Sequence, residues 1–115
     1  MLNFSKVYKN KKILITGHTG FKGAWLTLWL NELGANILGY SIDIPTNPSI
    51  FKSINLKKKI IDVRGDVRDF KKMNSVIKKF KPEIIFHLAA QPIVTESYRD
   101  PQKTFTTNIL GTLNV

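Results

Sequence analysis

Gly17, Gly20 and Gly23 recur at every third position in Gly17-His18-Thr19-Gly20-Phe21-Lys22-Gly23, directly after the apolar run Lys12-Ile13-Leu14-Ile15-Thr16. Glycines so spaced let the chain turn tightly from strand to helix, bring backbone against a pyrophosphate, and let the helix pack closely on the strand. A helix that opens there aims free N–H groups and its positive dipole end at the phosphates. The chemistry of this segment is therefore anion capture by backbone. Lys22 reads either as an added charge for the phosphate or as a solvated lysine.

Other residues extend that site. About 20 positions past such glycines an acid commonly holds the adenosine ribose. Asp43 is one candidate, and it also reads as a turn cap before Pro45. Ser41, two residues earlier on the same strand face, is the alternative. Asp66 and Val67 close a third apolar run, where a carboxylate can accept from an adenine amino group; an ordinary end-of-strand turn after Gly65 fits as well. Leu88, Ala89 and Ala90 close a fourth run with small residues, where a cofactor backbone must pass closely. His18 and His87 read as structural rather than catalytic, since neither has a matching carboxylate in the sequence. Trp25 and Trp29, one helical turn apart, read as core.

The elements that must position these groups alternate along the chain. Lys12 to Thr16 reads as a buried parallel strand, and 24–33 as a helix stopped by Gly34. Asn36 to Ile42 is a second strand, ended by Pro45-Thr46-Asn47-Pro48. Lys59 to Val63 is a third. Asp69 caps a helix through Phe80, whose apolar residues Phe70, Met73, Val76, Ile77 and Phe80 recur at threes and fours. Pro82 opens a fourth strand over 83–88, and Pro101 starts a last helix after a loop. Strands alternating with helices specify a parallel α/β sheet with right-handed crossovers. The expected fold is an incomplete doubly wound, Rossmann-type sheet of strand order 3-2-1-4, cut after the helix that follows the fourth strand.

Composition excludes several classes. The 115 residues contain no cysteine, so neither a disulfide framework nor a thiolate metal site is available. No apolar run approaches the roughly 20 residues of a membrane span, and the first residues lack a signal-peptide core. The expectation is a cytoplasmic chain with no membrane partner. A net charge of +10 raises the question of nucleic acid. Of the 18 basic residues, however, only Arg64, Arg68 and Arg99 are arginine, and the lysines are scattered in pairs and triples. A solvated lysine-rich surface is the reading, with no nucleic-acid partner.

Gly-His-Thr-Gly-Phe-Lys-Gly at 17–23, Pro-Thr-Asn-Pro at 45–48, Arg-Gly-Asp-Val-Arg-Asp at 64–69 and Phe-His-Leu-Ala-Ala-Gln-Pro at 86–92 form a recognisable set. Glu-Ser-Tyr-Arg-Asp-Pro at 96–101 and Thr-Asn-Ile-Leu-Gly-Thr at 107–112 belong with them. From about Phe4 onward the chain resembles the N-terminal part of the CDP-glucose 4,6-dehydratases, a family of extended short-chain dehydrogenase/reductases. The glycine spacing belongs to the whole superfamily; Phe-Lys-Gly, the Pro-Thr-Asn-Pro turn and Glu-Ser-Tyr-Arg-Asp-Pro narrow it.

The resemblance implies NAD held by Gly17, Thr19, Gly20, Phe21 and Lys22 at the pyrophosphate, by Asp66 and Val67 at the adenine, and along Leu88, Ala89 and Ala90. Asn108 matches the asparagine that follows the fourth strand in family members. The family uses NAD to oxidise the sugar at carbon 4, eliminates water, and returns the hydride to carbon 6. A Tyr-x-x-x-Lys motif is needed for that work. Tyr8–Lys12 fits the letters but precedes the first strand; Tyr40 and Tyr98 are followed at four positions by Ile44 and Gln102. The expectation is thus a dinucleotide half over 1–115, inactive alone, without the catalytic half or the sugar-nucleotide domain. CDP-glucose becomes a partner only if a second chain completes the fold. The alternatives are a non-functional remnant and a basic nucleic-acid-binding module. An uncovered fourth strand also predicts self-association.

Overall fold

Ile13, Leu14 and Ile15 are wholly buried, because their strand lies inside a sheet covered on both faces. The computed structural model describes residues 3–115. Among them, α1 (Phe4–Tyr8) leads into β1 (Lys12–Thr16), α2 (Phe21–Glu32) and β2 (Asn36–Ser41). Then come α3 (Ile50–Ser53), a 3₁₀ turn (Leu56–Lys58), β3 (Ile61–Arg64), α4 (Phe70–Phe80) and β4 (Ile84–His87). The chain ends in α5 (Val94–Arg99), α6 (Pro101–Phe105), a π-helical turn (Thr106–Leu110) and α7 (Gly111–Asn114).

The strands are all parallel, in the order β3-β2-β1-β4. This is the expected Rossmann-type order. Its register pairs Thr16 with both Tyr40 and His87, which aligns the carboxyl ends of three strands at one edge. One face packs Ile13, Ile15 and Ile37 against Leu30 and Ala35. The other packs Leu14, Leu38 and Tyr40 against Val67 and Met73. Asp69 caps α4 as expected, its side chain accepting from the Lys72 N–H.

Several elements depart from the expectations. β2 stops at Ser41 and β3 starts at Ile61, because the lysines before it fall in or beside the 3₁₀ turn. Segments α3 and α5 lie where only loops were expected. The last helix is continuous with a wider π turn at its middle. Trp25 and Trp29 are 51% and 55% exposed rather than core. The residues α2 buries are Gly23, Ala24, Thr27 and Leu30. Small side chains bring this helix close to β1, so its largest ones are left outside, where Trp29 meets Phe4 edge-on. No described helix is long and apolar enough to cross a membrane.

Candidate dinucleotide site

The glycine turn sits at the carboxyl edge of β1 and opens α2. Gly17 has φ +77°, a backbone conformation glycine adopts without strain. A Cβ at this residue would stand 2.8 Å from the Ala89 nitrogen, so the turn after β1 and the loop after β4 lie almost in contact. The Gly17 N–H is held by the Tyr40 carbonyl at 2.9 Å. A Cβ on Gly23 would overlap the Gly17 carbonyl, which makes Gly23 the point where helix and turn interlock. Gly20 differs. It has an ordinary φ of −75°, and the nearest atom to a Cβ there is the Gly17 oxygen at 3.5 Å.

No side chain caps the N-terminus of α2, and no acid lies in its first turn. The N–H groups at Phe21, Lys22 and Gly23 therefore have no helical partner, and the dipole end is not neutralised. Phe21 and Lys22 are exposed there. Thr19 is buried; its hydroxyl donates to the Asp43 carbonyl at 2.6 Å and fastens the turn to the chain leaving β2.

His18 is entirely buried beside that turn, and it does have a carboxylate. Its Nε2–H donates to Asp62 Oδ1 at 2.7 Å, and its Nδ1 accepts from the Ser41 hydroxyl at 3.1 Å. Asp62 Oδ2 accepts from Arg64 at 3.1 Å. Burial pushes the His18 imidazole below its ordinary value, against the pull of Asp62, so the ring is neutral. It rests on Gly39, where a Cβ would overlap it, and meets Phe51 edge-on at 5.4 Å. The sequence reading gave His18 no matching carboxylate because its partner, Asp62, lies 44 positions away. Of the two ribose candidates, Ser41 is buried with its hydroxyl on His18, whereas Asp43 is exposed in the loop.

His87 anchors the opposite side. Thr16 Oγ1 accepts from the N–H groups of Leu88 and Ala89, both at 3.1 Å. Its own proton therefore goes to His87 Nδ1, at 2.6 Å. His87 Nε2–H then donates to the Thr112 hydroxyl at 3.1 Å, which donates to the Asn108 carbonyl at 2.6 Å. Desolvation lowers the His87 pKa, in keeping with a neutral ring. Asn108 itself grips Gln91, accepting from its N–H at 2.8 Å and donating to its carbonyl at 3.2 Å. These contacts fix the loop of Leu88, Ala89 and Ala90 against the glycine turn. Sequence reasoning missed the pairing of Thr16 with His87, whose only signal was their shared position at strand ends.

At the end of β3, the Tyr40 hydroxyl donates to the Asp66 carbonyl at 3.0 Å, and Val67 is buried beneath. Both Asp66 oxygens accept from the Arg68 side chain, which holds the carboxyl below the usual range. An adenine donor would share that carboxylate with Arg68. A cavity of about 600 Å³ opens beside it, lined by Asp66, Arg68, Asp69, Asp100 and Lys103, among others. Among the described residues no cluster of three or more His, Asp or Glu side chains is placed to hold a metal.

Known proteins share this sequence pattern and fold. A family model described as GDP-mannose 4,6 dehydratase matches residues 14–115. The CDP-glucose 4,6-dehydratase of Salmonella typhimurium is 49% identical over 108 residues, which is 94% of this chain and 30% of that protein. A UDP-glucose 4-epimerase of Mycoplasma genitalium is 32% identical over 105 residues, covering 90% of this chain and 30% of its own. Among solved structures, the epimerase Mth375 of Methanothermobacter thermautotrophicus superposes with a TM-score of 0.82 at 32% identity, over 96% of this chain and 32% of that one. The Thermus thermophilus UDP-glucose 4-epimerase in complex with NAD superposes at 0.78, with 30% identity, over 90% and 32% of the two chains. The chain thus spans about 30% of the length of the curated relatives it matches.

Proposed function

The chain belongs to the GDP-mannose 4,6-dehydratase family, and from that membership we propose that it is a dinucleotide half-site, residues 1–115, of the CDP-glucose 4,6-dehydratase type. The observation that carries this reading is Gly20. The fold has room for a Cβ at Gly20 and a backbone conformation any residue adopts. Glycine there leaves the outer side open, where the uncapped start of α2 would face the pyrophosphate.

The residues present fit NAD. Backbone at Gly17, Gly20, Phe21 and Lys22 would hold its pyrophosphate, with Thr19 keeping the turn in place. Asp66 and Val67 would border the adenine, and Asp43 or Ser41 the ribose. Leu88, Ala89 and Ala90 would line the path of the dinucleotide, with Asn108 holding their loop. When bound, NAD would supply a hydride acceptor. On this reading the chain binds and orients the cofactor.

An apolar surface lies beside this half-site. Among the described residues β4 pairs only with β1, and Ile93, Val94, Phe105, Ile109 and Leu113 are exposed beyond it. Calorimetric titration of the purified chain with NAD tests the half-site. Saturable heat supports the reading; no heat at millimolar NAD overturns it.

A further inference from the structure

His18 and Thr19, consecutive in the glycine turn, are held by two sets of contacts that lead to the same residue. From His18, Nε2–H donates to Asp62 Oδ1 at 2.7 Å, and Asp62 Oδ2 accepts from Arg64 Nη2 at 3.1 Å. From Thr19, the hydroxyl donates to the Asp43 carbonyl at 2.6 Å, and that carbonyl also accepts from Arg64 Nη1 at 3.3 Å. The peptide bond between His18 and Thr19 completes the path. The contacts therefore form one closed circuit, and Arg64 is where it closes.

Sheet register makes the circuit possible. In the β2–β3 pair, Asp62 lies beside Gly39 and Arg64 beside Ser41. Residues two apart on a strand share a face, so the acid and the guanidinium rise together on the side where His18 lies. A Cβ at Gly39 would stand 2.3 Å from the imidazole, so His18 reaches Asp62 only across a glycine. Arginine suits the closing position. Its planar fork donates to Asp62 from one nitrogen and to Asp43 from the other, and the Phe51 ring lies 5.3 Å from its central carbon. A lysine ammonium has no such fork.

Either contact alone would let the turn rock about a single attachment; the closed circuit fixes residues 18 and 19 together against β3. The residues that follow, Gly20, Phe21 and Lys22, supply the backbone that meets the pyrophosphate on the half-site reading. Resting on that reading, we infer that Arg64 is a positioning residue for the phosphate-binding turn, acting through Asp62 and Asp43 rather than by touching the ligand. Its effect is preorganisation: the turn is ordered on folding, so that less freedom is lost when a dinucleotide binds.

The test is calorimetric titration of the full 115-residue chain and its variants with NAD, at a temperature where urea denaturation shows each to be folded. A residue that only stabilises the fold would shift the urea midpoint and leave the affinity of the folded protein unchanged. Arg64→Ala and Thr19→Val should instead each weaken NAD binding about tenfold, the scale of ordering one or two side chains on association. In the double variant the loss should stay near about tenfold rather than approach about a hundredfold, because a circuit already open has nothing left to close. Arg64→Lys, which keeps the charge without the fork, should recover only part. Arg64→Ala leaves Asp62 as a buried acid without its cation, so Asp62→Asn is the second variant. Its oxygen still accepts from His18, its amide no longer accepts from Arg64, and the same loss of NAD affinity is expected. In the ligand-free variants the Gly20 amide, which donates to the Gly17 carbonyl at 3.2 Å, should exchange with solvent about fivefold faster or more, with the Leu14 amide unchanged. NAD affinity within about twofold of the unaltered chain in these variants, or single losses that multiply in the double variant, overturns the positioning role and leaves the half-site standing. Absence of NAD binding by the unaltered chain overturns both.

Discussion

His18 Nε2 stands 2.7 Å from Asp62 Oδ1, a buried contact that ties the glycine turn after β1 to the middle of β3, two strands away. Gly39 makes the contact geometrically possible, because its missing side chain leaves the surface of β2 open for the ring to cross. The glycine turn is thereby anchored on the far edge of the sheet.

The neutral state of that ring sets a pH dependence. Both histidines are held below their ordinary 6.5 by burial. The unfolded chain then binds more protons than the folded one below about pH 6.5, and stability falls as pH drops through that window. Thermal melts from pH 8 to pH 5 should show a flat Tm above about 7 and a steady decline below it. A Tm that rises on acidification contradicts the assignment.

Gly20 separates binding from folding. Gly20→Ala should change unfolding free energy by about 1 kcal/mol or less, the scale of an altered N-cap. NAD heat should nevertheless fall at least tenfold, and Gly20→Val should abolish it. Calorimetry and urea denaturation on the same samples check both halves. Unchanged NAD heat in Gly20→Val places the pyrophosphate elsewhere.

Thr16→Val should destabilise by about 1–3 kcal/mol, since the Ala89 N–H loses its acceptor and His87 its donor. Thr16→Ser, which keeps the hydroxyl, should recover most of the loss. Urea midpoints of the three proteins decide it.

The open side of β4 should drive association. Ile85 is 37% exposed on this strand, and an unpaired apolar edge templates further pairing. Charge repulsion opposes it over only about 8 Å at physiological salt. Sedimentation should show concentration-dependent oligomers, shifted toward monomer in Ile85→Lys. A single monomeric species for the unaltered chain refutes this.

The 115 residues by themselves should not convert CDP-glucose, because Tyr40 and Tyr98 are followed at four positions by Ile44 and Gln102 rather than lysine. Formation of a 4-keto-6-deoxy sugar nucleotide by the pure chain would show that other residues supply the acid–base chemistry.

Local signals were legible before any coordinates. The apolar runs marked the strands, Asp69 and Pro101 marked helix starts, and the alternation of elements led to the strand order that is observed. The glycine turn was legible for the same reason, since its meaning lies in adjacent residues. What escaped depends on distance along the chain. Asp62 reaches His18, and His87 reaches Thr16, only after the sheet has formed. The short α3 carries too few turns to show a period, though Ser49 caps it through the Lys52 N–H. The tryptophans misled because hydrophobicity alone does not say which face of α2 is small enough to approach β1.

The chain of contacts from Thr16 through His87 and Thr112 to Asn108 has one further property. Each hydroxyl and ring nitrogen in it has its role dictated by its neighbours, so all the protons run in a single direction. Reversing the row would turn the Thr16 hydroxyl proton toward the Ala89 N–H, which donates to that same oxygen. The loop after β4 is therefore proton-ordered as well as packed, and the entropy of ordering these hydroxyls and the ring has already been lost on folding.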